Sequence, residues 1–427
     1  MQKFFIFFSF SVFVSFSQTI KDCRQRFDNY LNFKGSLNNL VKFEENAIFI
    51  LNARGEKELA IYEHELNALA DFFEHSSLKQ QEQLLRLKGT KRYSSRQRDS
   101  LLIYIDDRKS TPSGNPKQPL AGYKIAIDPG HFSTTLKDAQ IEQKYLYFVK
   151  DSIANPLDTV KLFESELTFN TAKHLQTMLE GQGAKVFVTR KKNNYTSFNC
   201  TYDDWIRNHK ARMLDSLQKN KLINAVRYKE LMQMKEYKLF WDFFRDFDLL
   251  NRAQKINQFD PHLSIVIHFN VDEQNEPWNK HSDKNFTMAF IGGAFTADNL
   301  AKTEGRINFL RLLLTNQLNR SEKLASETVD RFSKNLKIPV ASQYDAVYLR
   351  DNCMMTRSPG VFSRNLILCR KINSPLVYGE SLYQDNENES KELMRSDLDV
   401  FGIKSNMRLS LVARSYYEAV MAFLKVK

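Results

Sequence analysis

The chain has 427 residues, more than one small core needs and enough for one large domain with an accessory region. Hydrophobic residues make up 42% of it, which excludes a wholly disordered chain. The net charge of +12 would suit nucleic acid, anionic lipid or an anionic polymer, but Lys and Arg are scattered among Asp and Glu, and no nucleic-acid-binding module is present, so no nucleic-acid partner is expected.

The first segment reads as an address. Met1-Gln2-Lys3 is a short positive start, and Phe4 to Phe16 is an apolar run broken only by serines. Ser15-Phe16-Ser17 offers small residues at both positions a signal peptidase reads. A signal peptide over 1–17, cleaved before Gln18, is expected, and with it an exported protein of the periplasm or cell envelope. The run is shorter than the roughly 20 residues a spanning helix needs, and no later run is apolar enough, so no stable transmembrane anchor is expected. Cys23, Cys200, Cys353 and Cys369 permit two bridges in an oxidising compartment, with three possible pairings. Cys369, in the apolar run Leu366-Ile367-Leu368, reads as a buried small hydrophobe.

Residues 18–110 read as a helical N-terminal region. Leu59, Tyr62, Leu66 and Leu69 recur at three- and four-residue spacings and predict one amphipathic helix over Glu58 to Phe73. The turn-rich stretch 111–119 reads as a linker, and the main domain is expected over 120–427. There, strands are predicted at Lys124–Ile127, Lys185–Arg190, Leu263–His268, Thr287–Ile291, Ala346–Leu349 and Leu376–Tyr378. Helices are predicted at Glu164–Glu180, across much of Trp205–Arg252, at Gly305–Leu318, at Glu322–Leu336 and at Leu409–Leu424. The alternation predicts an α/β fold: a twisted, mostly parallel sheet of about six strands with helices on both faces.

Chemistry gathers at strand ends. Tyr123 to Ile127 is a short apolar run that ends in Asp128-Pro129-Gly130-His131, a tight turn presenting one histidine. Leu263 to Ile267 ends in His268-Phe269-Asn270, and Pro375 to Gly379 ends in Glu380. A catalytic zinc takes three protein ligands and leaves a fourth position for water. His131 and His268 are natural candidates, and the third ligand should be a carboxylate. Glu142, Glu164 and Glu166 all lie between them, and spacing does not choose among the three.

These motifs, in this order, resemble the zinc-dependent N-acetylmuramoyl-L-alanine amidases of the amidase 3 family. That family opens with a strand and Asp-(Pro/Ala)-Gly-His, here Asp128 to His131. A helix-starting Glu with apolar residues three and five positions later and Ala eight later is matched by Glu164, Leu167, Phe169 and Ala172, so the resemblance selects Glu164 over Glu166. Thr189-Arg190, Arg252, the Val266-Ile267-His268-Phe269-Asn270 stretch, and Pro375, Glu380 and Asn386 fit the later motifs. The resemblance covers roughly 120 to 425 and implies Zn²⁺ held by His131, Glu164 and His268, with Glu380 as the acid-base residue. It implies hydrolysis of the amide between N-acetylmuramic acid and L-alanine in peptidoglycan. Asp128 and Asn270 are expected either to orient the imidazoles or the turn, or to cap turns. Arg190 is expected as a surface charge or sheet-end ion pair rather than a substrate clamp.

The chain also departs from that pattern. The family follows its first His with glycines and an Asp, where this chain has Phe132-Ser133-Thr134-Thr135. Insertions are expected near 137–161, 193–257 and 296–318, the first as a loop beside the metal. Some relatives block their site with an inserted helix until a protein activator displaces it, a role open here to Ile307–Leu318. The rival expectation is a non-catalytic wall-binding or scaffold protein on the same fold.

Overall fold

The computed structural model describes residues 18–76, 78–86, 112, 117–149, 159–400 and 402–426. The expected signal peptide, most of the linker and the end of the N-terminal region therefore lie outside the described residues.

The N-terminal region begins with the helix Ile20–Arg26, closed by a capping box in which Thr19 and Asp22 satisfy each other's backbone donors. Strands β1 (Val41–Phe43), β2 (Ala47–Leu51) and β3 (Lys57–Tyr62) then form a three-stranded antiparallel sheet. The single helix predicted over Glu58 to Phe73 is thus divided: its first half is β3, and the helix is Leu66–His75. The helical period was present, but Leu59 to Ile61 pair with the apolar run of β2, and that long-range pairing outweighs the local pattern.

The main sheet is built from β4 (Lys124–Pro129), β7 (Lys185–Val188), β8 (Leu263–Asn270), β9 (Met288–Gly292), β10 (Cys353–Met355), β11 (Val361–Arg364) and β12 (Leu376–Tyr383), with β5 (Tyr145–Val149) and β6 (Thr159–Phe163) forming a separate hairpin. Its seven strands run in the order β10-β11-β9-β12-β8-β4-β7. β12, β8, β4 and β7 are mutually parallel, whereas β9 is antiparallel to β12 and β10 to β11. Alternate residues of the central strands serve opposite faces. Ile125, Ile127, Ile265 and Ile267 enter the core shared with the helices Glu164–Gly181, Gln317–Leu336 and Met407–Leu424. Ala126 and Val266 face a second core beneath Arg245–Phe259. The N-terminal region shares the first of these cores, through Ile20, Phe27, Leu66 and Phe72.

The structure corrects other sequence expectations. Ala346–Leu349 is not a strand: the helix Val347–Asn352 occupies it, and the sheet is continued beyond β9 by β11 and by β10 at the edge. The helix proposed as a block is Thr303–Leu314, which follows β9. Because β9 runs against β12, that helix starts from the sheet edge opposite Glu380, and it packs on the N-terminal helices. It is a core element, not a plug. All four cysteines are free and buried. No helix among the described residues is long and apolar enough to cross a membrane.

Candidate metal centre

Parallel neighbours end at the same sheet edge, so the order β12-β8-β4 gathers three chemical strand ends. Glu380 pairs with His268 across β12 and β8, and Pro129 pairs with Ile267 across β4 and β8. The Gly130 N–H donates to the Ile267 carbonyl at 3.0 Å, laying the turn against β8. A Cβ on Gly130 would stand 2.2 Å from His268 Cε1, so glycine is what lets the imidazole lie on the turn. His131 then takes a left-handed backbone, φ 56°, unusual for a non-glycine residue and typical of functional positions.

Buried cations hold that strained turn. Arg190, 1% exposed, donates to the Pro129, Gly130 and Ser165 carbonyls at 3.1, 3.0 and 3.2 Å. Arg252 donates to the Pro129 carbonyl at 3.0 Å and pairs with Asp248 at 2.7 Å. Arg190 is therefore neither a surface charge nor a substrate clamp: it is an internal brace. Asp128 accepts from the Thr189 hydroxyl and lies 3.5 Å from Arg252, so it belongs to the same brace and not to the imidazoles. Asn270 donates to the Tyr348 hydroxyl at 2.8 Å and accepts from the Val271 N–H at 2.9 Å, tying off the end of β8.

Glu164 arrives differently. The β5–β6 hairpin returns the chain so that Phe163 pairs with Tyr145, and the Glu164 N–H donates to the Lys144 carbonyl at 3.3 Å. The segment expected as a loop over 137–161 thus contains a helix, Leu136–Glu142, and a hairpin whose last strand delivers Glu164 to the first turn of its helix.

There His131, Glu164 and His268 converge, with one ligand atom from each within 4.8 Å of the others. Glu164 Oε1 lies 2.9 Å from His268 Nδ1 and accepts from the Phe269 N–H at 3.1 Å. Its Oε2, 3.4 Å from His131 Nε2, is buried and has no hydrogen-bond partner. Burial drives the His131 imidazole well below its ordinary range, against the attraction of Glu164. Burial also opposes ionisation of Glu164, yet the two neighbouring histidines hold its carboxyl down. A neutral imidazole beside a carboxylate with an unsatisfied oxygen is the donor set a divalent cation requires, and a buried unpaired carboxylate oxygen is costly without one. Glu166, on the same helix, is not in the cluster.

Glu380 stands beside this group, with its Oε2 shielded from solvent and unpartnered. Burial pushes its carboxyl up to about 7, with His268 pulling down and Glu164 pushing up. The Tyr378 ring stacks on His268 at 4.4 Å and 9°, fixing the ring plane.

Sequence reasoning did not recognise the role of Glu142. Considered only as a possible ligand, it lies behind His131, its Oε1 3.3 Å from Nδ1, while its Oε2 accepts from the Phe132 and Ser133 N–H groups at 3.1 and 2.8 Å. A carboxylate on the far nitrogen of a ligating histidine sets its tautomer and orientation. Phe132 in turn packs on Tyr202, Phe240 and Phe244 of the 193–257 segment. The Trp241 indole donates to the Ile141 carbonyl at 3.0 Å, next to Glu142. No local motif marks Glu142; the only available signal was an acidic residue eleven positions after the first histidine, inside the expected insertion.

A family model described as N-acetylmuramoyl-L-alanine amidase matches residues 125–400, well over half of the chain. No curated protein sequence matches it. Among solved structures it is similar to the CwlD amidase from Clostridioides difficile, solved in complex with the GerS lipoprotein, at 14% identity and a TM-score of 0.37 over 71% of this chain and 100% of that one. It is also similar to the amidase Ami1 from Mycobacterium smegmatis, at 13% identity and a TM-score of 0.38 over 72% and 98%. A third is the catalytic domain of the amidase CwlV from Bacillus (Paenibacillus) polymyxa var. colistinus, at 12% identity and a TM-score of 0.36 over 71% and 99%.

Proposed function

The chain belongs to the N-acetylmuramoyl-L-alanine amidase family, and from that premise we propose that it hydrolyses the amide between N-acetylmuramic acid and L-alanine in peptidoglycan, using Zn²⁺ held by His131, Glu164 and His268. The observation that carries this reading is the convergence of those three side chains around the unpartnered Oε2 of Glu164. When bound there, zinc supplies Lewis acidity that polarises the scissile carbonyl and lowers the pKa of water towards ~7.

The protein's residues do the remainder. Glu380 takes a proton from the attacking water at its unpartnered Oε2 and returns it to the leaving amine nitrogen. A carboxyl poised near neutrality suits both steps, because base and acid forms are both populated. Tyr378 and Glu164 hold His268, and Glu142 holds His131, so the ligands are set before substrate arrives. We also propose that the chain is exported and acts in the cell envelope, a reading supported by the composition of Met1 to Ser17 and by the location of the polymer it would cut.

The test is digestion of purified peptidoglycan with analysis of released stem peptides for a free L-alanine amine. Activity should disappear with a chelator and return with zinc. Glu380→Gln should keep its zinc and fold while losing about 10²- to 10⁴-fold in turnover. Hydrolysis at an undiminished rate by that variant, or products cut at another bond, would refute the assignment.

A further inference from the structure

Away from this centre, a second group of metal-type side chains assembles among the described residues. Cys200, Asp204 and His209 bring a thiol sulfur, a carboxylate oxygen and a ring nitrogen within 4.8 Å of one another. The backbone explains how. The helix from Tyr202 to Lys219 contains a π-helical turn at Trp205–His209, closed by the Lys210 N–H donating to the Trp205 carbonyl. In an α-helix, residues five apart point about 140° away from each other. A turn with i→i+5 bonds stacks them instead, and such turns concentrate at functional sites. Here the result is His209 Nε2 at 3.4 Å from Asp204 Oδ2. Cys200 is fixed against them because the N–H and hydroxyl of Thr196 both donate to its carbonyl, at 2.8 and 2.9 Å.

We propose that Cys200, Asp204 and His209 form a second, structural site for a borderline-soft divalent cation such as zinc, which clips the loop 196–200 to the helix behind it. Thiolate and imidazole favour zinc over magnesium or calcium. The thiol is buried, while the Asp204 and His209 side chains are 41% and 34% exposed, so the group opens to solvent on one side, where water can serve as a fourth ligand. Arg212 Nη2 lies 3.4 Å from His209 Nδ1. Ligation through Nε2 places the ring hydrogen on Nδ1 and turns this exposed arginine out to solvent. The clip would stiffen the stretch carrying Tyr202 and Trp205, which stack together and pack on Phe244, the aromatic shelf under Phe132.

The test uses the full chain, stripped of metal and titrated with Co²⁺. The amidase-type centre contains no sulfur, so a near-ultraviolet thiolate-to-cobalt charge-transfer band reports the second site alone. The expected result is a band that is complete by two equivalents of cobalt in the full chain and by one in His131→Ala, abolished by Cys200→Ser, and at least tenfold weaker in affinity in His209→Gln. Cobalt bound without a thiolate band reports the first centre separately, so failure of one site is distinguishable from failure of the other. If Cys200→Ser does not fold, the solvent-facing Asp204→Asn and His209→Gln decide through loss of affinity. No charge-transfer band at saturating cobalt, a band that survives Cys200→Ser, or unchanged affinity in both solvent-facing variants overturns the proposal.

Discussion

Gly130→Ala isolates the close approach on which the proposed zinc centre depends. The added Cβ would lie 2.2 Å from His268 Cε1, 2.4 Å from Nε2 and 2.7 Å from Nδ1. Carbon atoms in contact sit at about 3.5–4.0 Å, so the ring must retreat by about 1.3 Å. It cannot retreat freely, because Tyr378 stacks on one side and Glu164 binds Nδ1 on the other. Gly130 is not among the positive-φ residues, so the backbone itself tolerates alanine. The damage should therefore fall on ligand geometry more than on the fold. A displacement of about 1 Å at a catalytic group costs about 10²-fold in rate. The expected outcome is a cooperative thermal transition near the wild-type one, zinc content well below one equivalent at the centre by elemental analysis, and peptidoglycan turnover reduced about 100-fold. Full zinc occupancy at the centre with turnover within about threefold of wild type would refute the placement of His268 against the turn.

Other perturbations separate the supporting shell from the ligands. Glu142→Gln replaces an acceptor facing three N–H groups with an amide that also carries donors, and zinc affinity at the centre should fall about 10- to 100-fold in a chelator-competition assay. An unchanged affinity would show that Glu142 does not orient His131. Phe132→Ala empties the site between Tyr202, Phe240 and Phe244 and should lower unfolding free energy by about 3–5 kcal/mol, read from denaturant unfolding of the metal-free chain. A loss under about 1 kcal/mol would mean that the 193–257 segment does not pack on the His131 turn in solution.

Much of this architecture was legible because it is encoded locally. The runs ending in His131, His268 and Glu380 are short, apolar and bounded by turn residues, and β4, β8 and β12 appear where those runs lie. The helix Glu164–Gly181 ends within one residue of its predicted range. What escaped was the pairing of distant segments. β3 was hidden by a helical period because its partner, β2, lies in a separate run. The strands β10 and β11 are only three and four residues long, too short for periodicity to register. The placement of β12 between β8 and β9 sets Glu380 beside His268, and no local pattern states which strands are neighbours.

The departures after the first histidine acquire a physical meaning from the same contacts. A glycine-rich turn has no side chains to place, but Phe132 and Ser133 carry side chains that need packing partners once buried, and their backbone N–H groups need acceptors as glycine's would. Glu142 supplies the acceptor for both N–H groups, and the aromatic residues of the 193–257 segment supply the surface for the ring. The helix Leu136–Glu142 and the long helical excursion therefore act on one turn through neighbouring residues: one through the carboxyl at His131 Nδ1, the other through packing at Phe132. Removing either without the other leaves a buried carboxylate or a buried ring without its counterpart. The two segments are thus expected to be energetically coupled, and a Glu142→Gln, Phe132→Ala double-mutant cycle should give an interaction energy of about 0.5–3 kcal/mol. Strict additivity would refute the coupling and show that the two supports act independently on the turn.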